Sequence, residues 1–211
     1  MSSMENKKYI HIHIPKTAGC FIKIILQKAA ENNKNLKIID PLADKTREDY
    51  SNPLKFHPSI KFVRKVVPLA NDPSTEFITI VRNPYDRIYS LWKYFRKLNI
   101  FGSLIYPYVP ENFEDYIDEL NNGEYDQYYH MNSQLFFIDG NGENPLQIFK
   151  FEEIDTTVRK FFEQNGIKWQ DEKVNDIPSK SYVEVYTKRT ADIVKNLYHN
   201  EFESFNYSVE I

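Results

Sequence analysis

The chain has 211 residues, 41% of them hydrophobic, enough to bury one substantial core, and its length suits one large domain over residues 1–211 better than two small ones. Lys and Arg number 27 against 30 Asp and Glu, a formal charge of −3, which offers no general attraction to nucleic acid or an anionic membrane and makes any anion site local. The lone cysteine, Cys20, excludes an internal disulfide. The sequence shows no signal-peptide pattern and no membrane anchor, and it reads as cytoplasmic.

Residues 9–14 alternate Ile10, Ile12 and Ile14 with His11 and His13 and predict a strand closed by Pro15; the two histidines read as core residues. Phe21, Ile24, Ile25 and Ala29 recur at i, i+3, i+4 and i+8, the stripe of a helix running to about Asn32. Residues 36–40 read as a second strand and 41–58 as polar and irregular. Pro58 can be the first residue of a short helix with Ile60, Val63, Val66 and Val67 inward. Residues 77–81 form the clearest buried strand, which runs straight into Arg82, Asn83 and Pro84; Asn83 can cap, and Pro84 start, a helix with Ile88, Leu91, Trp92 and Phe95 as its core stripe.

Residues 102–110 read as a loop, and Phe113, Tyr116, Ile117 and Leu120 mark another amphipathic helix. A short apolar stretch at 134–138 closes in the turn-rich 139–142. Residues 146–151 predict a strand, Val158, Phe161 and Phe162 a helix after it, and 187–205 a final helix carrying Ile193, Val194, Leu197 and Tyr198. Strands alternating with helices, without an internal repeat, imply an α/β layer structure with a mainly parallel sheet.

Two strand-to-helix junctions carry the chemistry. In the first, Ile14-Pro15-Lys16-Thr17-Ala18-Gly19-Cys20, the opening turn of a helix offers backbone N–H groups and a partial positive charge to an anion, Gly19 allows close backbone approach, and Lys16 adds a full charge. It lacks the G-x-x-x-x-G-K-[ST] order of a triphosphate loop, which disfavours a nucleotide kinase. In the second junction Arg82 can grip a phosphate through two parallel hydrogen bonds, and Ser90, about two helical turns on, can add a hydroxyl. Asp86 and Arg87 read as local ion-pair formers. Two anion sites at the carboxyl ends of strands suit a ligand with two separated phosphates.

These residues resemble the carbohydrate sulfotransferases that use 3′-phosphoadenosine 5′-phosphosulfate (PAPS), above all the heparan sulfate 2-O- and chondroitin-type enzymes and their bacterial relatives. The first junction is similar to their 5′-phosphosulfate loop; the segment from Val81 to Arg87, with Ser90, is similar to their 3′-phosphate site. Weaker likeness extends to Lys55-Phe56-His57, to His130 with Gln134, and to Lys180 and Tyr182. The resemblance implies an α/β fold with a single-domain, P-loop-like parallel sheet flanked by helices. It also implies a metal-free transfer to a hydroxyl acceptor, a saccharide by analogy. By the same resemblance, Lys16 contacts the bridging oxygen and the sulfuryl group, and Pro15, Thr17, Ala18, Gly19 and Cys20 form the 5′-phosphate cradle. Arg82 and Ser90 hold the 3′-phosphate, and Lys180 closes over the nucleotide. His57 is the first candidate for the base and His130 the second. Cys20 and Phe21 stand where the family usually has hydroxyl residues. That departure keeps open a protein that binds PAPS, or the product 3′-phosphoadenosine 5′-phosphate (PAP), without turnover.

Overall fold

Parallel pairing places β1 (Lys8–Ile12) between β2 (Lys37–Ile39) and β3 (Thr75–Val81), and β4 (Leu146–Lys150) extends the sheet beyond β3 in the order β2-β1-β3-β4. The computed structural model describes residues 8–32, 37–39, 57–100, 107–169 and 181–211. They fall into two compact units, one drawn from Met1–Val81 and Gln134–Asp176, the other from Arg82–Ser133 and Ile177–Ile211.

The first unit contains the sheet. Ile10 pairs with Phe77 and Ile12 with Thr79, and all four are fully buried, as a central parallel strand pair requires. On one face, Tyr9, Ile78, Ile80 and Phe149 pack against Ile22, Ile25 and Leu26 of α1 (Gly19–Asn32) and against Phe162 of α6 (Arg159–Gln164). On the other face the Arg64 guanidinium of α2 (Ile60–Val66) stacks 6.0 Å from the Phe77 ring. Each fully buried Ile or Phe contributes about 1.5–3 kcal/mol to this core. The α/β architecture predicted from the alternating pattern is therefore the one observed. At the end of β1, Thr79 Oγ1 donates a buried 2.9 Å bond to the Ile12 carbonyl and ties the two central strands together where they finish.

Several local expectations change. β1 ends at Ile12, two residues early, because the chain is already turning toward Pro15. Ser59, not Pro58, sets the start of α2: it is the N-cap, and its side chain accepts from Phe62 N. Val66 is 53% exposed, because Val67 leaves the helix with extended backbone ahead of Pro68, and the residue before a proline avoids helical geometry. The apolar stretch at 134–138 is a short helix, α5 (Gln134–Ile138). A π-helical turn over Ile154–Val158 leads into α6. Within 36–58, only 37–39 and 57–58 belong to the described residues.

The second unit is helical. Asn83 and Pro84 open α3 (Pro84–Ile100) as expected: Asn83 Oδ1 accepts from Tyr85 N at 3.0 Å and its carbonyl from Arg87 N at 2.9 Å. Ile88, Leu91 and Phe95 are fully buried against α4 (Phe113–Asn121) and α7 (Lys188–Leu197), whose ends are capped by Asn112 and by the Thr187–Thr190 capping box. The predicted final helix is two: Tyr198 leaves helical geometry at φ −115°, ψ 23°, and α8 (His199–Ser204) follows it. Arg87 is 1% exposed and donates to the carbonyls of His130 (3.0 Å) and Asn132 (2.9 Å), with Glu201 at 3.9 Å. Its partners are thus distant in sequence, unlike the local pairing expected, and it is Asp86 that takes a local partner, Arg82.

Candidate active site

The connection β1 to β2 leaves β1 on one side, and β3 lies on the other, so the strand order reverses between β1 and β3. In open parallel sheets a crevice forms beyond the carboxyl ends of the strands at such a point. The first junction emerges there. Lys16 and Ala18, flanking Thr17, both adopt left-handed backbone, with φ of 67° and 66°. For residues bearing a Cβ this costs about 1–2 kcal/mol each, and such conformations gather at functional sites. Alternation between left- and right-handed residues is the backbone geometry of anion-binding nests. Thr17 turns inward, its hydroxyl donating 3.0 Å to the Ile14 carbonyl, and so braces the turn from below. Phe21 N and Ile22 N are the first to bond into α1, both to the Ala18 carbonyl, so the N–H groups of Gly19 and Cys20 lie ahead of the helical ladder. Pro15 leads into the turn, and Cys20 is an exposed free thiol. Phe21 packs edge-on to Trp169 at 5.3 Å, which accounts for an aromatic ring at that position.

Gly19 does not have the positive φ that would by itself demand glycine; a Cβ there would overlap the His13 ring. His13 also meets the His57 ring edge-to-face at 4.3 Å, and His11 stacks on His13 at 5.9 Å. All three imidazoles are buried. His57 Nδ1 lies 2.9 Å from the His13 carbonyl oxygen, which can only accept, so Nδ1 carries the proton and Nε2 is the basic nitrogen. The structure therefore groups His57 with Pro15 to Cys20 through His13, a residue read from sequence as core filler. Its position two residues before Pro15 was the available signal. Among the described residues, no group of three or more His, Cys, Asp or Glu side chains could hold a metal ion.

The second unit holds Arg82, Ser90 and His130. Arg82 follows the last residue of β3, and its Nε donates to Asp86 Oδ2 at 2.7 Å, both side chains being mostly buried. Ser90 lies one turn beyond Asp86 on the same stripe of α3 and is 9% exposed. Lys93 continues that stripe, with Nζ 4.4 Å above the Tyr89 ring. Sequence reading passed over Lys93, although its spacing of three from Ser90 places it on the same face. His130 is 6% exposed, edge-on to Phe95 at 6.1 Å, with its carbonyl held by Arg87. A cavity of about 390 Å³ beside α3 is lined by Tyr89, Trp92, Asn112, Phe113, Glu114 and Glu184, among others. Lys180 lies outside the described residues.

Among the described residues, no helix is long and apolar enough to cross a membrane. A comparison with curated protein sequences finds no match. The family model for the sulfotransferase domain matches residues 43–208, a stretch that includes His57, Arg82 and Ser90 and begins after the Lys16 junction. That match covers well over half of the chain and accords with its parallel α/β sheet: the chain belongs to the sulfotransferase family.

Proposed function

We propose that this chain transfers the sulfuryl group of PAPS to a hydroxyl acceptor, of saccharide class, by in-line displacement, as a single domain over residues 1–211 in the cytoplasm. The family match running through both compact units supports the single-domain reading. The observation that carries the donor assignment is the strained turn of Lys16 and Ala18 leading into α1 at the point where strand order reverses.

In this reading the backbone N–H groups from Thr17 to Cys20 receive the 5′-phosphate, with Pro15 fixing the approach of the loop. Lys16 places its ammonium at the bridging oxygen. Arg82 and Ser90 take the 3′-phosphate, and Lys180 closes over the nucleotide. His57 Nε2 accepts the proton of the acceptor hydroxyl as that oxygen bonds to sulfur. The bond from sulfur to the 5′-phosphate oxygen breaks, its electron pair stays on PAP, and Lys16 and the loop amides stabilise the charge that develops there. His57 is preferred to His130 as base because the His13 carbonyl already sets its tautomer, whereas the carbonyl of His130 is engaged by Arg87 within a packed core. His130 and the cavity beside Tyr89 and Trp92 are kept for a role in acceptor positioning. Asn112, Glu114 and Glu184 in that lining offer hydrogen-bonding groups to sugar hydroxyls.

The test is transfer of labelled sulfate from PAPS across a panel of saccharides and other hydroxyl compounds. The reading expects a sulfated saccharide. PAP binding without product on any acceptor would instead indicate a binding protein, and phosphate transfer from a nucleoside triphosphate would indicate a kinase.

A further inference from the structure

We infer that Lys93 is a third ligand of the anion held by Arg82 and Ser90, and that it serves to select nucleotides carrying a 3′-phosphate. This rests on the donor reading given under Proposed function. Asp86, Ser90 and Lys93 stand at i, i+4 and i+7 on α3, one continuous stripe of the helix. Arg82 reaches onto that stripe by its bond to Asp86. Lys93 is held in place by the Tyr89 ring beneath its ammonium.

The electrostatics favour an anion here. The Lys93 ammonium is pushed below the usual lysine value, first by burial and then by the Arg82 charge, while Asp86 pulls the other way. Arg82 and Lys93 thus share a partly desolvated patch in which each raises the cost of the other's charge, with Asp86 and, beside Tyr89, Glu184 as neighbouring carboxylates; a phosphate between Arg82, Ser90 and Lys93 would offset that mutual repulsion. A phosphate monoester supplies about two negative charges and three acceptor oxygens, enough for Arg82, Ser90 and Lys93 together. A phosphodiester or a sulfate ester, with a single negative charge, matches the two cations less well.

The experiment measures binding of PAP and of adenosine 5′-phosphate, which lacks the 3′-phosphate, to the unmodified protein, Lys93→Met and Lys93→Arg. Methionine keeps much of the apolar stem against Tyr89, so packing alone predicts little change. Loss of a charged hydrogen bond predicts that Lys93→Met weakens PAP by about tenfold to a hundredfold. Adenosine 5′-phosphate should bind that variant unchanged, and Lys93→Arg should recover most of the PAP affinity. If Lys93→Met keeps the native preference for PAP, or loses both ligands equally, Lys93 is not a 3′-phosphate ligand. If the unmodified protein itself does not prefer PAP to adenosine 5′-phosphate, the donor reading fails and takes this assignment with it.

Discussion

His57 Nδ1 sits 2.9 Å from the backbone oxygen of His13, a buried contact that leaves a single tautomer for the neutral ring. A backbone carbonyl here orients the imidazole as a carboxylate does in many acid-base sites. Replacing His57 with Gln retains a polar group of similar reach but removes the proposed base. His57→Gln is expected to lower kcat about 10²–10⁴-fold while PAP affinity stays the same. Steady-state kinetics with a parallel PAP titration checks this, and an unchanged kcat would move the base elsewhere.

The contact between Gly19 and His13 makes a separate prediction. A methyl group at Gly19 forces the His13 ring to move, and overpacking of this kind costs about 1–3 kcal/mol. Gly19→Ala should destabilise the protein by that amount, and most of the loss should vanish in a His13→Ala background, as a double-mutant cycle in urea would reveal. Were Gly19 needed only for ligand approach, Gly19→Ala would weaken PAP binding with stability untouched.

Arg87 supports a different region. With Arg87 and Glu201 both 1% exposed, replacing the guanidinium by Met removes the cation 3.9 Å from a buried carboxylate and the donor to two carbonyls. The expected cost is about 3–5 kcal/mol, measured as a drop in the midpoint of urea unfolding. A loss under about 0.5 kcal/mol, the scale of an ordinary surface substitution, would show that the 3.9 Å pair and its hydrogen bonds are dispensable.

The regular elements were legible where periodicity was strong. The isoleucine alternation before Pro15, the apolar run 77–81 and the Asn83-Pro84 start each announce their structure through short-range rules. What failed depended on packing across the chain. Nothing local says that Tyr198 interrupts the last helix, or that Arg87 reaches His130 and Asn132, 43 and 45 residues further along the chain. The candidate site was half legible for the same reason. Lys16, Arg82 and Ser90 stand in recognisable motifs, but the role of His13 depends on a ring contact with Gly19 and a carbonyl offered to His57, 44 residues away.

Asp72 provides a check on the first unit through pH. Its carboxyl is lowered from 3.8 to about 2, first by the hydrogen bond from Lys8 and then by the backbone and side chain of Ser74. A carboxylate depressed in the folded state stabilises fully above its unfolded value. That stabilisation is lost as pH falls from 3.8 toward about 2. Asp72→Asn should flatten the fall of Tm across that window. The pair is partly exposed, so the difference should be small and should shrink in high salt. Identical Tm profiles for the two proteins at low salt would remove Asp72 from the account.

The most direct test takes the nucleotide apart one phosphate at a time. Calorimetric titrations of Lys16→Ala and Arg82→Ala with PAP, adenosine 5′-phosphate and adenosine 3′-phosphate should give crossed losses. Lys16→Ala weakens only ligands with a 5′-phosphate and Arg82→Ala only those with a 3′-phosphate. Both variants should bind PAP less tightly than the unmodified protein. Should the two substitutions affect all three ligands alike, or none, the two junctions do not read opposite ends of one nucleotide.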